Sequence, residues 1–321
     1  MTRPITDLEE LHLGSAVYRE VEAPGDLPQT TGWMHSGCAI TRSGIIAVAH
    51  PEGRQLLLID RDRSVRAIPV NALEMHTIYH DPVDEEDTLW LVNNGHRFVR
   101  DRPDYAHYRE HGSVTRIALD GTVLQTIDCP DIDAYRDERW QPTSLCRGAD
   151  GTIWIADGYG LDLVHQFTQD GHHIRTIDAS ETGLALACPH GIARRGEQIL
   201  VADRTNRRIL VLEDGVVIKI LDAPLTSPSS LLVLGEHLLV TELHGGIAVF
   251  DGDRYVGHFA RDRDDPTRDA WPNDRDSDGN TTRPTVDERL HSPHGIASDG
   301  ERIIVTEWFI GGRLHQYTAI R

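Results

Sequence analysis

The chain has 321 residues and a formal net charge of −19, because 51 Asp and Glu residues outnumber 32 Lys and Arg residues. Nucleic-acid grooves and contacts with anionic membrane surfaces need clustered basic side chains, so neither is an expected partner. No run of about 18 apolar residues occurs, and the opening MTRPITDLEE lacks the apolar stretch of a secretion signal. These observations predict a cytoplasmic protein.

A repeated sequence unit organises the chain. From His190 to Asp203 and from His294 to Glu307 the spacing is the same, and both intervals end in a β-branched run, ILVAD and IIVTE. Further apolar segments follow, such as RRILVLE and VVIKIL, which gives four strands per complete copy. Four-stranded units that repeat about every 40 residues are typical of a β-propeller.

Six copies follow in chain order, at residues 36–70, 75–127, 141–177, 189–221, 228–259 and 293–321. The last copy ends after three strands, whereas one strand-like segment, SAVYREV at residues 15–21, precedes the first copy. A ring closed by this N-terminal strand accounts for both facts. We therefore predict an all-β, six-bladed β-propeller that forms one domain over residues 1–321.

Histidine recurs in phase with the repeat. Copies two, four and six each begin their innermost strand with one, namely His76, His190 and His294. The matching positions of the other copies carry none, namely Gly37, Thr143 and Ser229. Alternate blades lie about 120° apart around the channel. Three neutral imidazoles should therefore converge on one Zn²⁺ at ~2.1 Å as its only protein ligands, with the fourth position open for water or substrate. Alternatively, PHG is a turn motif whose histidine caps the channel through hydrogen bonds.

The loops after the second strands lie on the same face as these histidines. They carry Tyr159, a candidate proton acceptor, and Arg204, a fixed positive charge for a developing oxyanion. A nearby metal ion and Arg204 should both favour the phenolate form of Tyr159. Asp157 and Asp203, at the ends of those strands, are alternatively turn residues that bond backbone amides. Candidate substrate contacts on this face are His50, His244 and Trp308.

Two insertions break the repeat, and the topology places both on the histidine face: residues 96–112 and residues 261–291. Long loops at the mouth of a rigid scaffold often carry specificity. The first insertion has basic and aromatic side chains that suit an anionic or aromatic substrate, namely Arg100, Arg102, Tyr105, His107, Tyr108 and His111. A solvated charged loop is the alternative interpretation.

The second insertion contains an acidic motif. Asp274, Asp276 and Asp278 have the alternating spacing of the first half of a calcium loop, and Gly279 follows where such a loop turns sharply. The twelfth position is Thr285 rather than Glu. The motif predicts either a Ca²⁺ site or a solvated acidic loop.

Three segments carry a resemblance to known proteins: QPTSLCRGADGTIWIADGYG, PHGIARRGEQILVADRTNRRI and SPHGIASDGERIIVTE. They resemble NHL-type propeller repeats and, more narrowly, the peptidyl-α-hydroxyglycine α-amidating lyase family. That family is a six-bladed propeller that splits a carbinolamide C–N bond into an amide and glyoxylate, at a zinc ion held by three histidines. The resemblance implies that the zinc ligands are His76, His190 and His294, that Tyr159 is the catalytic tyrosine and that Arg204 is an active-site arginine.

The chain also departs from that family. A second arginine, which the family places after the second strand of the first blade, is replaced by His50 and Pro51. The family's calcium-binding aspartate after the last zinc histidine is Gly295 here. The family's disulfides have no evident counterpart. We expect the four cysteines to be reduced and mostly buried, namely Cys38, Cys129, Cys146 and Cys188.

Together these features predict a zinc-dependent lyase that cleaves a C–N or C–O bond of a hydroxylated small molecule or modified peptide. The first alternative is a propeller hydrolase of the sugar-lactonase type, which would use a calcium site made of carboxylates and amides. The second is a noncatalytic NHL interaction module, which would hold no metal and would need a basic or apolar docking patch.

Overall fold

The computed structural model describes residues 6–81, 83, 86–262 and 264–320. These residues form a six-bladed β-propeller, which confirms the predicted fold. The innermost strands of consecutive blades contact each other around the whole ring, including blade 6 with blade 1. Successive strands within a blade are antiparallel, so all six innermost strands begin at the same face.

Blades 1 to 3 follow the predicted order from the channel outward. Blade 1 contains Cys38–Ile40, Ile46–Ala49, Gln55–Ile59 and Val65–Pro69. Blade 2 contains Met75–Tyr79, Thr88–Asn93, Ser113–Ala118 and Val123–Ile127. Blade 3 contains Ser144–Arg147, Ile153–Asp157, Leu163–Phe167 and His173–Ile177.

Blades 4 to 6 repeat this arrangement. Blade 4 contains Pro189–Arg195, Gln198–Asp203, Arg208–Glu213 and Val216–Leu221. Blade 5 contains Pro228–Leu234, His237–Glu242, Ile247–Asp251 and Arg254–Phe259. Blade 6 contains Pro293–Ser298, Arg302–Glu307, Leu314–Ile320 and Ala16–Val21.

The N-terminal segment closes the ring. Ala16–Val21 pairs antiparallel with Leu314–Ile320, the third strand of blade 6, and Leu11–Leu13 adds a fifth strand outside it. Asp7–Leu8 pairs in parallel with Arg254–Phe259 at the edge of blade 5. Residues 7–21 therefore hold the last two blades together, and the strand that completes blade 6 is the one that the three-stranded final copy predicted.

Six apolar clusters fill the spaces between neighbouring blades, one for each pair. The two-residue period of a strand explains this packing, because alternate side chains face opposite neighbours. In blade 4, Ile199 and Val201 pack against blade 3, whereas Leu200 and Ala202 pack against blade 5. Consecutive apolar residues in the middle of the second strands therefore stabilise both interfaces at once.

A polar side chain at the end of the second strand fixes the entry to the innermost strand. The Asp157 carboxylate accepts a hydrogen bond from the Gln141 N–H at 2.7 Å, and Asp203 accepts one from the Ala187 N–H at 2.8 Å. Glu307 plays the same part in blade 6 with the His291 N–H at 2.6 Å. Asp157 and Asp203 thus bond backbone amides, as the turn interpretation expected.

The two insertions contain hairpins of their own. Residues 96–112 form His96–Asp101 and Asp104–Arg109, and the second insertion contains Asp274–Arg275 and Thr281–Thr282. The insertions contact each other, because Arg100 donates to the Thr281 carbonyl at 2.6 Å. The helices in the described part of the chain are the single 3-10 turns Asp133–Tyr135 and Ser180–Thr182, so no helix there could cross a membrane.

Candidate metal centre

The three in-phase histidines meet at the mouth of the channel, and each is 1% exposed. Each Nδ1 atom lies 2.5–3.2 Å from a backbone carbonyl oxygen of the following blade, with His76 on Thr143, His190 on Ser229 and His294 on Ser36. A carbonyl oxygen only accepts, so Nδ1 carries the ring proton. Each Nε2 atom therefore keeps its lone pair for a metal ion, and the carbonyl fixes the ring orientation.

These contacts correct one of the repeat positions that were matched to the histidines from the sequence. The residue of blade 1 that corresponds to the histidines is Ser36, not Gly37. Gly37 instead corresponds to Gly191 and Gly295, the glycines that follow the two PH pairs. The backbone of each of these three glycines lies against the backbone of the next blade at the channel. A Cβ atom on Gly37 would lie 2.7 Å from Thr77 Cα, and one on Gly191 would lie 2.2 Å from the Ser229 oxygen. The glycine of PHG thus permits close packing at the channel.

The electrostatics of the cluster favour neutral imidazoles. Burial, together with neighbouring histidines and Arg204, lowers the pKa of His76 and of His190 well below 6.5. Burial likewise lowers the pKa of His294 to about 3. The Nε2 atoms of His76 and His294 lie 3.2 Å apart. This is close to the ~3.3 Å expected for two imidazoles that share one tetrahedral zinc ion, so the donor set fits such a metal.

A fourth histidine, which the sequence analysis missed, belongs to the cluster. The His35 ring lies 4.5 Å from the rings of both His76 and His294, and one ligand nitrogen from each of the four histidines lies within 4.8 Å of the others. His35 directly precedes Ser36 and is therefore out of phase with the repeat. The shared dipeptide Met-His, at residues 34–35 and 75–76, was the sequence signal that could have identified it.

A carboxylate lies behind this fourth imidazole. His35 Nδ1 is 2.8 Å from Glu74 Oε1, and both side chains are buried. Burial raises the pKa of Glu74 well above 4.5, while Arg97, whose Nη1 is 3.6 Å from Oε2, lowers it. Arg97 also donates to the Pro51 carbonyl. Arg97 therefore supplies a buried guanidinium near His50 and Pro51, although it does not line the cavity described below.

Tyr159 and Arg204 lie beside the cluster. The Tyr159 hydroxyl is 3.1 Å from His190 Nε2 and 3.4 Å from His35 Nε2. Arg204 places Nη1 3.4 Å from that hydroxyl and donates from Nη2 to Ser229 Oγ at 2.9 Å. Burial raises the pKa of Tyr159 above its ordinary value, and Arg204 only partly opposes this. Without a metal ion, desolvation outweighs this one guanidinium and favours the neutral phenol, so the predicted phenolate requires the bound ion as well and stays a prediction.

A cavity of about 280 Å³ opens above the cluster. Its floor is formed by His35, Tyr159 and Gln141, and Trp308 stands at one side. The hairpin of the first insertion supplies the remaining wall, namely His96, Phe98, His107 and Arg109. A larger cavity of about 380 Å³ lies along the innermost strands and contains no side chain of the cluster.

Of the three candidate substrate contacts, Trp308 lines the cavity and the other two do not. His50 accepts a hydrogen bond from the Glu52 N–H at 3.0 Å within its own turn. His244 packs against Trp271 with the ring centres 5.1 Å apart. In the hairpin, Tyr105 donates its hydroxyl proton to the Thr31 carbonyl at 2.6 Å, so it anchors the hairpin rather than facing the cavity.

The acidic motif of the second insertion forms a hairpin turn. Asp274 Oδ1 pairs with Arg268 at 2.9 Å. Asp276 accepts hydrogen bonds from the backbone N–H groups of Asp278 and Asn280 at 3.0 and 2.8 Å. The three predicted calcium ligands are not among the groups of described residues whose ligand atoms converge. Turn chemistry explains this motif without a bound ion.

A second acidic group also has an explanation as an ion pair. His291 Nδ1 lies 2.7 Å from Asp262, and Nε2 lies 2.9 Å from the Pro272 carbonyl oxygen. Both partners are acceptors, so both ring nitrogens carry protons. Burial opposes this charge, but Asp262 and the carbonyl raise the pKa of His291. A protonated imidazole has no lone pair for a metal ion.

Comparisons with known proteins agree with this architecture. No family model matches the chain. A stretch of 79 residues is 32% identical to peptidyl-α-hydroxyglycine α-amidating lyase 2 of Drosophila melanogaster; it covers 24% of this chain and 20% of that relative. The chain therefore aligns with about a fifth of the relative's length.

Three solved structures have a similar fold over nearly the whole chain. A streptogramin B lyase has a TM-score of 0.60 at 13% identity and covers 94% of this chain and 97% of its own. Virginiamycin B lyase from Staphylococcus aureus has a TM-score of 0.56 at 14% identity, with 94% and 99% covered. A gluconolactonase from Xanthomonas campestris has a TM-score of 0.62 at 16% identity, with 96% and 91% covered. The chain thus shares its propeller fold with lyases and lactonases, and its sequence resemblance to amidating lyases extends over one short stretch.

Proposed function

We propose that this protein is a zinc-dependent lyase that cleaves a C–N or C–O bond of a hydroxylated small molecule. One observation carries the proposal. The Nε2 lone pairs of His76, His190 and His294 point to one place, and the Tyr159 hydroxyl lies 3.1 Å from one of them. A metal ion, a phenol and the guanidinium of Arg204 together suit the removal of a proton and the stabilisation of an oxyanion.

The donor chemistry favours zinc over calcium. Zn²⁺ binds neutral imidazoles readily, whereas Ca²⁺ takes six to eight oxygen ligands. The cluster offers four buried imidazoles, and the nearby carboxylate of Glu74 faces Nδ1 of His35. This arrangement argues against the calcium site of a sugar-lactonase-type hydrolase. It also argues against a noncatalytic module, because buried neutral histidines that converge are costly to maintain without a ligand.

The protein's own side chains would carry the proton. A bound Zn²⁺ would polarise a substrate oxygen. The phenolate form of Tyr159, which a bound cation and Arg204 would together favour, would accept the proton of the substrate hydroxyl group as the carbonyl forms. The bond from the same carbon to the leaving nitrogen or oxygen would break, and the Tyr159 phenol would return the accepted proton to the leaving atom. Arg204, which is 3.4 Å from the phenol oxygen, would stabilise negative charge there and on the substrate oxygen.

The cavity supports a small substrate rather than a long peptide. Its volume of about 280 Å³ is at the lower end of the range for small-molecule sites. Trp308 and Phe98 supply apolar walls, and Arg109 offers a positive charge for an acidic group. A modified peptide remains the second substrate class, because only its terminal residue would need to enter the cavity.

A substrate screen with zinc-loaded protein tests this function. We expect α-hydroxyglycine amides and related small carbinolamides to release glyoxylate or the corresponding carbonyl product, and His190→Ala protein to release none. Hydrolysis of sugar lactones by the loaded protein, with no carbonyl release from carbinolamides, would instead support the hydrolase alternative.

A further inference from the structure

We propose that His35 is a fourth metal ligand of the cluster and that Glu74 orients it through Nδ1. The inference deepens the proposed function and rests on its metal site. It differs from the predicted set of three histidines by adding a side chain from the segment that precedes blade 1. Three observations support it: the nitrogen that faces the cluster, the burial of the pair and the surrounding charges.

The contacts of His35 determine which nitrogen can bind a metal ion. Nδ1 lies 2.8 Å from Glu74 Oε1, off the ideal hydrogen-bond direction, so the contact is mainly electrostatic. A bound cation and Arg97 would both favour the ionised form of Glu74, whose negative charge would repel a lone pair on Nδ1 and so place the ring proton there. Nε2 then has the free lone pair, 3.4 Å from the Tyr159 hydroxyl. This is the same assignment as in His76, His190 and His294, with a carboxylate in place of the carbonyl.

The burial of both side chains also points to a ligand. His35 is 5% exposed and Glu74 is 2% exposed. Both carboxylate oxygens of Glu74 lack a well-aligned hydrogen-bond donor among the described residues. A buried acceptor without a donor destabilises the folded state, because the loss of its hydration is not compensated. A cation on Nε2 would make the Nδ1 proton a stronger donor to Glu74, which explains why the pair is kept in the core.

The charges around the cluster fit the same role. A divalent cation and Arg204 would bring positive charge into a buried site, and Glu74 is the carboxylate placed to offset part of it. Arg97 lies on the other side of Glu74, 3.6 Å from Oε2, and opposes the effect of burial by lowering the pKa of Glu74. His35 also lines the cavity. A substrate oxygen must therefore enter as an additional ligand or displace His35.

Cobalt titration of metal-free protein tests the inference. Co²⁺ is the probe, because its visible absorption reports the number and type of ligands and a competing chelator gives its affinity. We expect His35→Ala to weaken Co²⁺ binding by about 100-fold or more and to change the absorption spectrum, since water replaces an imidazole. Glu74→Gln should weaken binding by about 10- to 100-fold, as the loss of an orienting partner usually does.

Two reference variants make the result decisive. His190→Ala removes an in-phase ligand, whereas His258→Ala removes a buried histidine of the outermost strand in blade 5 and should leave affinity and spectrum unchanged. Wild-type affinity and spectrum in His35→Ala, with loss of binding in His190→Ala, would overturn the inference and leave the proposed function intact. Absence of Co²⁺ binding in the wild-type protein would refute both. If His35→Ala does not fold, X-ray absorption on the wild-type protein counts three or four imidazoles directly.

Discussion

At the scale of single residues, the backbone of one blade determines the chemistry of the preceding blade's histidine. The Thr143, Ser229 and Ser36 carbonyl oxygens hold Nδ1 of the three in-phase rings at 2.5–3.2 Å. Any residue can supply a carbonyl, so this support does not depend on side-chain identity. Blades 3, 5 and 1 thus supply the carbonyl oxygens, and blades 2, 4 and 6 supply the in-phase imidazoles.

The phenol of Tyr159 is the residue on which the proposed chemistry depends most. Tyr159→Phe removes only the hydroxyl group that lies 3.1 Å from His190 Nε2. We expect the variant to stay folded and to keep its metal ion. Turnover should fall by about 10² to 10⁴, the usual contribution of a general base. Steady-state kinetics and metal analysis of the same preparation check this, with the exposed Tyr108→Phe as the control. Near-normal turnover with metal bound would assign the proton transfer to another group.

The in-phase site residues could be predicted from the sequence, because the position of a residue within the repeat determines where it lies in the propeller. His76, His190, His294, Tyr159 and Arg204 come together as their phase implied. His35 and Glu74 could not be found in this way. They lie in the links that lead into the innermost strands of blades 1 and 2, and their meeting depends on the path of those links rather than on strand register.

At the scale of secondary-structure elements, a side chain on the second strand fixes the loop that enters the innermost strand in blades 3, 4 and 6. In blade 6 this side chain is Glu307, which is also 3.1 Å from His315 Nε2 and bonded to Arg313. Burial alone would raise its pKa, but His315 and Arg313 lower the pKa of Glu307 from 4.5 to about 2. The carboxylate therefore stabilises the folded state only while it is ionised.

The pH dependence of stability tests this role. Because the pKa of Glu307 is lower in the folded state, its contribution is complete above about pH 4.5 and is lost as the pH falls toward 2. The difference corresponds to about 3 kcal/mol of unfolding free energy. Glu307→Gln should lack this part of the acid dependence, as measured by denaturant unfolding between pH 2 and 6. The exposed Glu197→Gln is the control, and parallel profiles of wild-type and Glu307→Gln protein would contradict the assignment.

The inserted hairpin determines the shape of the cavity. Phe98 stacks on Trp33 with the ring centres 4.4 Å apart and lines the cavity beside Trp308. Phe98→Ala should raise KM by about 2- to 10-fold, which corresponds to the loss of one aromatic contact with the substrate. The change in kcat should be smaller. Val99→Ala, next in the strand and exposed, is the matched control. An unchanged KM in Phe98→Ala would mean that the substrate does not contact this wall.

The sequence could not predict which side chains of this hairpin face the cavity. The basic and aromatic residues of the first insertion could be identified from the sequence, but the orientation of their side chains could not. Arg100 bonds the Thr281 carbonyl, which lies 181 residues away in the chain, and this contact exists only when the ring is closed. The residues that face the cavity therefore depend on two insertions that meet in space.

At the scale of the whole molecule, the ring is stabilised without the cluster. Six apolar clusters fill the six spaces between blades, and the N-terminal strand closes the last blade by main-chain pairing. Hydrophobic packing of this extent dominates the stability of a single domain. The in-phase histidines lie outside these six clusters, so we expect that one of them can be replaced without unfolding the propeller.

The metal content of the purified protein tests the central claim most directly. Protein prepared without added metal should contain about one zinc ion per chain. His190→Ala protein should lose it while keeping the far-ultraviolet circular dichroism of the wild-type propeller, and His258→Ala should retain it. Elemental analysis of the three proteins gives the answer. Wild-type protein without a bound transition metal, or full metal retention in His190→Ala, would contradict the account.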